Sequence, residues 1–168
     1  MNSPKNDRSA PGAGSPTAGA GPRRAGTAHR QHIQTQARLW LGTPYHHRAS
    51  LRGVGTDCLG LIRGLWREIY GAEPEPLPDY TRDWAEATGR ETLLEAATRH
   101  MPPTATPRPG DVLLFRLRPR TSARHIGLLA ERDNTLTLIH ALSPHHVTES
   151  PLTERWQRRV AGAFVFPG

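Results

Sequence analysis

The stretch of sequence that decides the fold is Asp57-Cys58-Leu59-Gly60-Leu61, and it contains the only cysteine among the 168 residues of the chain. It follows a glycine-containing turn, Gly53-Val54-Gly55-Thr56, and Cys58 occupies the first position of a helical pattern. A thiol at a helix start lies near the positive end of the helix dipole, which lowers its pKa and favours nucleophilic attack. The alternative interpretation is a small apolar side chain that packs in the core, as most free cysteines do.

Apolar spacing predicts three helices in the first hundred residues. The first covers about residues 32–41, where apolar side chains recur at i, i+4, i+7 and i+8. The second covers residues 58–70, with Asp57 as its N-cap and Gly71 after its end. The third covers about residues 84–99. Proline-rich connections follow the second and third helices.

The pattern changes to strands after Gly110. Short apolar runs bounded by turn residues predict five strands, at residues 112–117, 125–132, 135–142, 147–150 and 162–166. Because the helices come first and the antiparallel strands second, the predicted fold class is α+β, with N-terminal helices packed on a small antiparallel sheet.

Two histidines lie on the strands that flank Asp133-Asn134, a dipeptide suited to a two-residue hairpin turn. In that register Gly127 faces His140, and His125 and His140 become diagonal neighbours on one face of the sheet. Adjacent imidazoles can serve as a general base and the group that orients it. A slip of one residue would separate them, and two unrelated histidines in a chain with nine are the alternative.

Residues 1–30 are rich in Pro, Gly and Ala and show no apolar periodicity, which predicts a disordered basic tail before a domain at residues 31–168. The net charge of +7 is concentrated in this tail, which carries five cations against one acid. We therefore expect no specific nucleic-acid partner, although the tail could contact a polyanion. The chain shows no signal-peptide pattern and no membrane-spanning run, so we expect cytoplasmic synthesis and no membrane insertion.

Several motifs together resemble the NlpC-type cysteine peptidase family. They are the Tyr45 loop, the Cys58 stretch quoted above, Pro109-Gly110-Asp111-Val112 and His125-Ile126-Gly127-Leu128. The resemblance spans about residues 33–167 and implies a compact papain-like fold. It also implies hydrolysis of amide bonds in peptidoglycan stem peptides, commonly between D-glutamate and the diamino acid, without a cofactor or metal.

The resemblance assigns a role to each matching residue. Cys58 corresponds to the nucleophile, His125 to the general base and His140 to the orienting residue. Tyr45 corresponds to a tyrosine beside the nucleophile that assists oxyanion binding, although a packed loop aromatic is an equal alternative. Asp57 corresponds to a contact for the substrate amine in some members, although its N-cap position explains it without that role. Leu59 stands where the family often has serine, which leaves the cleaved bond open.

Other motifs resemble a narrower branch of that family, found in tailed phages and gene transfer agents. They are Gly42-Thr43-Pro44-Tyr45, Gly53-Val54-Gly55, Leu65-Trp66-Arg67-Glu68 and Pro76-Leu77-Pro78. The branch implies tail tip or hub proteins as partners. It also implies a location in the tail of a phage-like particle, and action in the periplasm or cell wall during DNA delivery.

Three other functions are compatible with the sequence. A zinc site could use Cys58 with histidines drawn from His46, His47, His125, His140, His145 and His146, although no HExxH or paired CxxC spacing is present. A non-catalytic component of the tail tip could retain the peptidase fold. Nucleic-acid binding through the tail would weaken steeply with salt.

Overall fold

The structure is a computed structural model that describes residues 26–75 and 91–167. In this part of the chain the helices are α1 (Thr27–Arg38), α2 (Cys58–Tyr70), α3 (Thr92–His100) and α4 (Glu154–Gln157). The strands are β1 (Ser50–Leu51), β2 (Gly55–Thr56), β3 (Val112–Phe115), β4 (His125–Arg132), β5 (Thr135–Ala141), β6 (Val147–Pro151) and β7 (Val160–Phe164). The tail predicted to be disordered falls, up to residue 25, outside the described residues, as does the predicted third helix before residue 91.

A five-stranded antiparallel sheet forms one layer of the fold, in the order β6-β5-β4-β3-β7. The hairpin between β4 and β5 turns at Asp133 and Asn134, whose φ angles of 50° and 60° fit a type I′ turn. Arg132 pairs with Thr135, as the two-residue turn predicted. The α+β class and the hairpin register are therefore confirmed.

Helix α2 forms most of the second layer and packs against β4 and β5. Its buried residues Leu61 and Leu65 belong to one core cluster with Ile126 and Ile139 of the sheet. Asp57 Oδ1 accepts a hydrogen bond from Gly60 N at 2.7 Å, which confirms the predicted N-cap. Cys58 is therefore the first residue of a helix that packs against β4.

Helix α1 begins before the predicted residue 32 and ends before residue 41. Residues 27–30, which were assigned to the tail, form its first turn. Arg30 in that turn pairs with the buried Asp111 of the Pro-Gly-Asp motif at 2.5 Å. The prediction was wrong here because a tertiary ion pair, which apolar periodicity does not report, holds the polar first turn of the helix.

Smaller differences occur at the ends of other elements. Strand β3 ends at Phe115, and β7 lies two residues earlier than predicted. The single-turn helix α4 and the short pair β1 and β2 were not predicted. Four-residue and two-residue elements are too short to show a hydrophobic period. None of the described helices is both long and apolar enough to cross a bilayer.

We expect Gly64→Ala to destabilise the protein by about 1–3 kcal/mol, because the added methyl overpacks a filled core. An ideal Cβ at Gly64 would lie 2.1 Å from Cη2 of Trp40, whose ring is buried. In an open helical site the same change would stabilise by about 1 kcal/mol. Urea unfolding of both forms measures the difference. The control is Gly26→Ala at the N-cap of α1, where an ideal Cβ meets no atom within 4 Å and only the smaller loss of a preferred cap residue is expected. Equal effects at the two glycines would contradict the packing explanation.

Candidate active site

The predicted histidine pair is present and buried. His125 Nε2 lies 2.8 Å from His140 Nδ1, and the two side chains are 2% and 4% exposed. The pair shares a sheet face with Leu129 and Leu138, which pair directly in the β4–β5 hairpin. The diagonal placement of His125 and His140 predicted from the hairpin register is thereby confirmed.

Burial keeps both imidazoles neutral. It lowers the pKa of His125 to about 3, with a further contribution from the adjacent His140. It also lowers the pKa of His140 to about 4. Near neutral pH each ring therefore carries one hydrogen, and one hydrogen lies between the two rings.

The atoms that face each other determine which tautomer can act as a base. If His125 is to accept a proton at Nδ1, its own hydrogen must be on Nε2, where it donates to His140 Nδ1. His140 then carries its hydrogen on Nε2, which lies 3.4 Å from Ser150 Oγ. Ser150 thus forms the far end of a chain of polar groups that begins at His125 Nδ1.

The Cys58 thiol lies at the first position of α2 and is half-buried. Burial and the negative charge of Asp57 raise the pKa of this thiol to about 12. The backbone N–H groups of Ile126, Leu59 and Cys58 itself act in the opposite direction. The helix-start N–H groups lower the thiol pKa as expected, but burial and the Asp57 charge outweigh them, so the prediction of a net lowered pKa is wrong.

Strand β4 brings the thiol and the histidine pair to one place. The thiol lies against the backbone N–H of Ile126, the residue that follows His125. Within the described part of the chain, no hydrogen bond joins the thiol to the His125 ring. Proton transfer therefore requires the thiol and the His125 ring to come within hydrogen-bond distance, a tightening that commonly accompanies substrate binding.

Asp57 and Tyr45 both lie near the start of α2, Asp57 as its N-cap and Tyr45 through a bridge to Thr56. Asp57 is buried, and its second oxygen accepts a hydrogen bond from Arg48 N at 2.7 Å. Tyr45 forms a bridge with Thr56 and packs half-buried against the main core. The N-cap role of Asp57 is confirmed, whereas substrate binding by either residue stays a prediction.

The side chains considered for zinc do not converge. In the ranges 26–75 and 91–167, no group of three His, Cys, Asp or Glu side chains is arranged to hold a metal ion. His125 and His140 are bonded to each other, and His47 Nδ1 lies 3.5 Å from Asp57.

Two residues of the site were not predicted from the sequence, Ser150 and Trp156. Leu138 pairs with Ser150 and His140 with Thr148, so alternation along β6 places Ser150 on the face of His140. The register of β6 would have revealed it, but only the strand itself was predicted. Trp156 contacts both histidine rings from α4, which gave no sequence signal.

Solved structures share this fold. A Staphylococcus aureus subsp. aureus Mu50 protein described as similar to lipoprotein, NLP/P60 family, is 19% identical with a TM-score of 0.57, over 90% of this chain and 45% of its own. A Bacillus cereus ATCC 10987 NlpC/P60 family protein is 17% identical with a TM-score of 0.57, over 83% of this chain and 40% of its own. This chain thus spans less than half the length of these two proteins.

The NlpC/p60 domain of peptidoglycan hydrolase SagA is 19% identical with a TM-score of 0.53, over 82% of this chain and 98% of that domain. At these identities the likeness shows the fold, which is the papain-like fold expected from the sequence. No curated protein sequence gives a significant match. The family model described as NlpC/P60 matches residues 42–165, a span that includes Cys58, His125 and His140. Because this match covers well over half of its residues, the chain belongs to the NlpC/P60 family.

Proposed function

We propose that this protein is a cysteine endopeptidase that hydrolyses peptidoglycan stem peptides at the bond between D-glutamate and the diamino acid. The observation that carries the proposal is the buried hydrogen bond between His125 and His140, at the start of the strand whose Ile126 N–H contacts the Cys58 thiol. Membership of the NlpC/P60 family supports it, as does the likeness to a domain of a peptidoglycan hydrolase.

The reaction begins from a neutral thiol and a neutral imidazole. Substrate binding brings the thiol and His125 Nδ1 together, and Nδ1 takes the proton as Sγ attacks the amide carbonyl carbon. The Cys58 N–H, assisted by the Tyr45 hydroxyl, stabilises the negative oxygen of the tetrahedral intermediate. The C–N bond then breaks, and His125 returns the proton to the leaving amine. Water attacks the thioester with His125 as base, which releases the acid and restores the thiol.

His140 has a positional role in this scheme. Its Nδ1 accepts the hydrogen on His125 Nε2, so that Nδ1 of His125 remains free to take the thiol proton. The imidazolium that forms can donate from both nitrogens without losing this partner. His140 and Ser150 therefore hold the base in one tautomer throughout the cycle.

The directions of the pKa shifts determine when the proton moves. The thiol pKa is raised to about 12, and the pKa of His125 is lowered to about 3. A thiolate paired with an imidazolium is therefore not the resting form of this site. Proton transfer has to accompany substrate binding and attack.

We expect the alkylation rate of Cys58 by iodoacetamide to be low at pH 6 and to rise continuously through pH 9. Below its pKa a thiol gains about tenfold in thiolate fraction per pH unit, and the thiolate is the reactive form. Mass spectrometry of the intact protein measures the rate, and Cys58→Ala reports the background because the chain has no other cysteine. A rate that is constant between pH 5 and 7 would show a preformed ion pair and contradict this description.

We expect wild-type protein to release new amine-terminated fragments from purified peptidoglycan. Cys58→Ala and His125→Ala should lower the rate by about a thousandfold or more, since each removes a group that acts in the chemical step. Mass spectrometry of the fragments measures the rate and tests whether the cleaved bond is the proposed one between D-glutamate and the diamino acid. The matched control is His32→Ala, because His32 is exposed on α1, away from the histidine pair.

The result for the wild-type protein decides whether the peptidase proposal stands. If folded wild-type protein releases no such fragments, the peptidase proposal is wrong, and a structural role that retains the fold becomes the better explanation. Equal loss of activity in His32→Ala and His125→Ala would also contradict the role given to His125.

We infer further that the protein belongs to the tail of a phage or gene transfer agent particle and opens the cell wall during DNA delivery. The support is the set of short motifs around Gly42, Gly53, Leu65 and Pro76 that resemble that branch. Under this proposal the chain is made in the cytoplasm, binds tail tip or hub proteins, and acts in the periplasm or cell wall. Peptide mass spectrometry of purified particles should detect it in a constant ratio to tail proteins. Its absence from intact particles would contradict this location.

A further inference from the structure

The segment from residue 152 to residue 159 crosses the sheet from one edge to the other. It leaves β6 at one edge and enters β7 at the opposite edge. Helix α4 therefore lies over the face on which the histidine pair is found, which is the face turned away from α2. Both ends of the crossing are fixed by strand pairing, of β6 with β5 and of β7 with β3.

Only one side chain of α4 turns toward the sheet. The other three residues of this helix, Glu154, Arg155 and Gln157, are exposed, whereas Trp156 is partly buried. The helical turn that presents the indole is held by a hydrogen bond from Trp156 N to Thr153 O at 2.9 Å. This connection thus places one large aromatic ring against the histidine pair.

The indole covers both imidazoles. Its ring centroid lies 5.4 Å from that of His125 at an interplanar angle of 29°, and 5.1 Å from that of His140 at 89°. Phe115 lies 5.9 Å from His125 and 5.0 Å from Trp156. The two aromatic residues exclude water from part of the His125 ring, and the indole shields the bond between the histidines.

Two physical effects of this contact oppose each other. The face of an indole attracts a cation, which would favour the imidazolium form of His125. Exclusion of water disfavours that form. Burial is the largest cause of the lowered pKa of His125, and the indole is one of the rings that bury it.

We propose that Trp156 is a positioning residue, which keeps water from the hydrogen bond between His125 and His140 and keeps the hydrogen of His125 on Nε2, so that Nδ1 stays free to act as the base. This inference rests on the proposed function for its effect on catalysis. The stacked indole restricts rotation of the His125 ring. Without it, water could compete for Nε2, and the tautomer with its hydrogen on Nδ1 would become populated.

Among the described ionisable groups, the Cys58 thiol contacts the Ile126 N–H beside His125, and Asp57 is the N-cap residue before it. The cations around Trp156, Arg155 and Arg158, are exposed. The covering indole is therefore the neighbour whose removal should change the titration of the pair most.

The test compares Trp156→Ala and Trp156→Phe in the full chain. Histidine NMR titration in the Cys58→Ala background measures the pKa of His125 and His140 without any need for activity. We expect Trp156→Ala to raise both pKa values by about one unit or more, because water reaches the rings. Trp156→Phe should keep most of the cover and stay close to the wild type. The signals are identified by their loss in His125→Ala and His140→Ala.

The same variants with an intact Cys58 should then be assayed on peptidoglycan. A base has to be neutral, so activity is lost as the pH falls through its pKa, and a raised pKa moves the acid limb to higher pH. We expect kcat to fall about tenfold in Trp156→Ala with little change in KM, since the tautomer and not substrate binding is affected. Trp156→Phe should restore most of kcat.

Leu152→Ala is the matched control, because Leu152 packs against the same small cluster. Unfolding midpoints and circular dichroism establish that each variant is folded. Unchanged histidine pKa values in Trp156→Ala, or equal shifts in Leu152→Ala, would overturn the positioning role. If the pKa values shift as expected but wild-type protein does not cleave peptidoglycan, the proposed peptidase fails while the positioning role is supported.

Discussion

The hydrogen bond between two buried, neutral histidines is the constraint on which the rest of the site depends. A buried imidazole needs a partner for each nitrogen, and His125 finds one for Nε2 in His140. That bond exists only in one register of the β4–β5 hairpin, since a slip of one residue would send the rings to opposite faces. Asp133 and Asn134 have left-handed backbone angles and set this register, so they determine the placement of the histidines although they lie at the far end of the hairpin.

The thiol-bearing helix and the histidine pair lie on opposite faces of one sheet. Helix α2 packs on the face that contains Ile126, while the histidine pair lies on the other face beneath Trp156. Cys58 contacts the start of β4 through the backbone N–H of Ile126, the residue after His125. Asp57 has two effects there: it caps the helix that carries the thiol, and its charge raises the thiol pKa. Asp57 thus stabilises the start of α2 and also keeps the thiol neutral in the substrate-free protein.

Local sequence signals predicted most of the elements close to the reaction centre. The two-residue turn and the alternation along β4 and β5 gave the histidine pair, because turn type sets register over a short distance. The apolar period and the cap gave α2. The same signals failed for the first turn of α1, which is polar and depends on the ion pair between Arg30 and Asp111. They also failed for α4, whose single turn is too short to show a period.

By itself, the sequence determined the fold class, the position of Cys58 at a helix start and the diagonal placement of His125 and His140. Those features follow from side-chain period, turn chemistry and capping, all of which act over a few residues. Only the tertiary structure decided the protonation of the site and the cover over it. Burial outweighs the helix-start donors at Cys58, and a crossing between opposite sheet edges places Trp156 on the imidazoles. Both depend on residues distant in the chain, so no local pattern could report them.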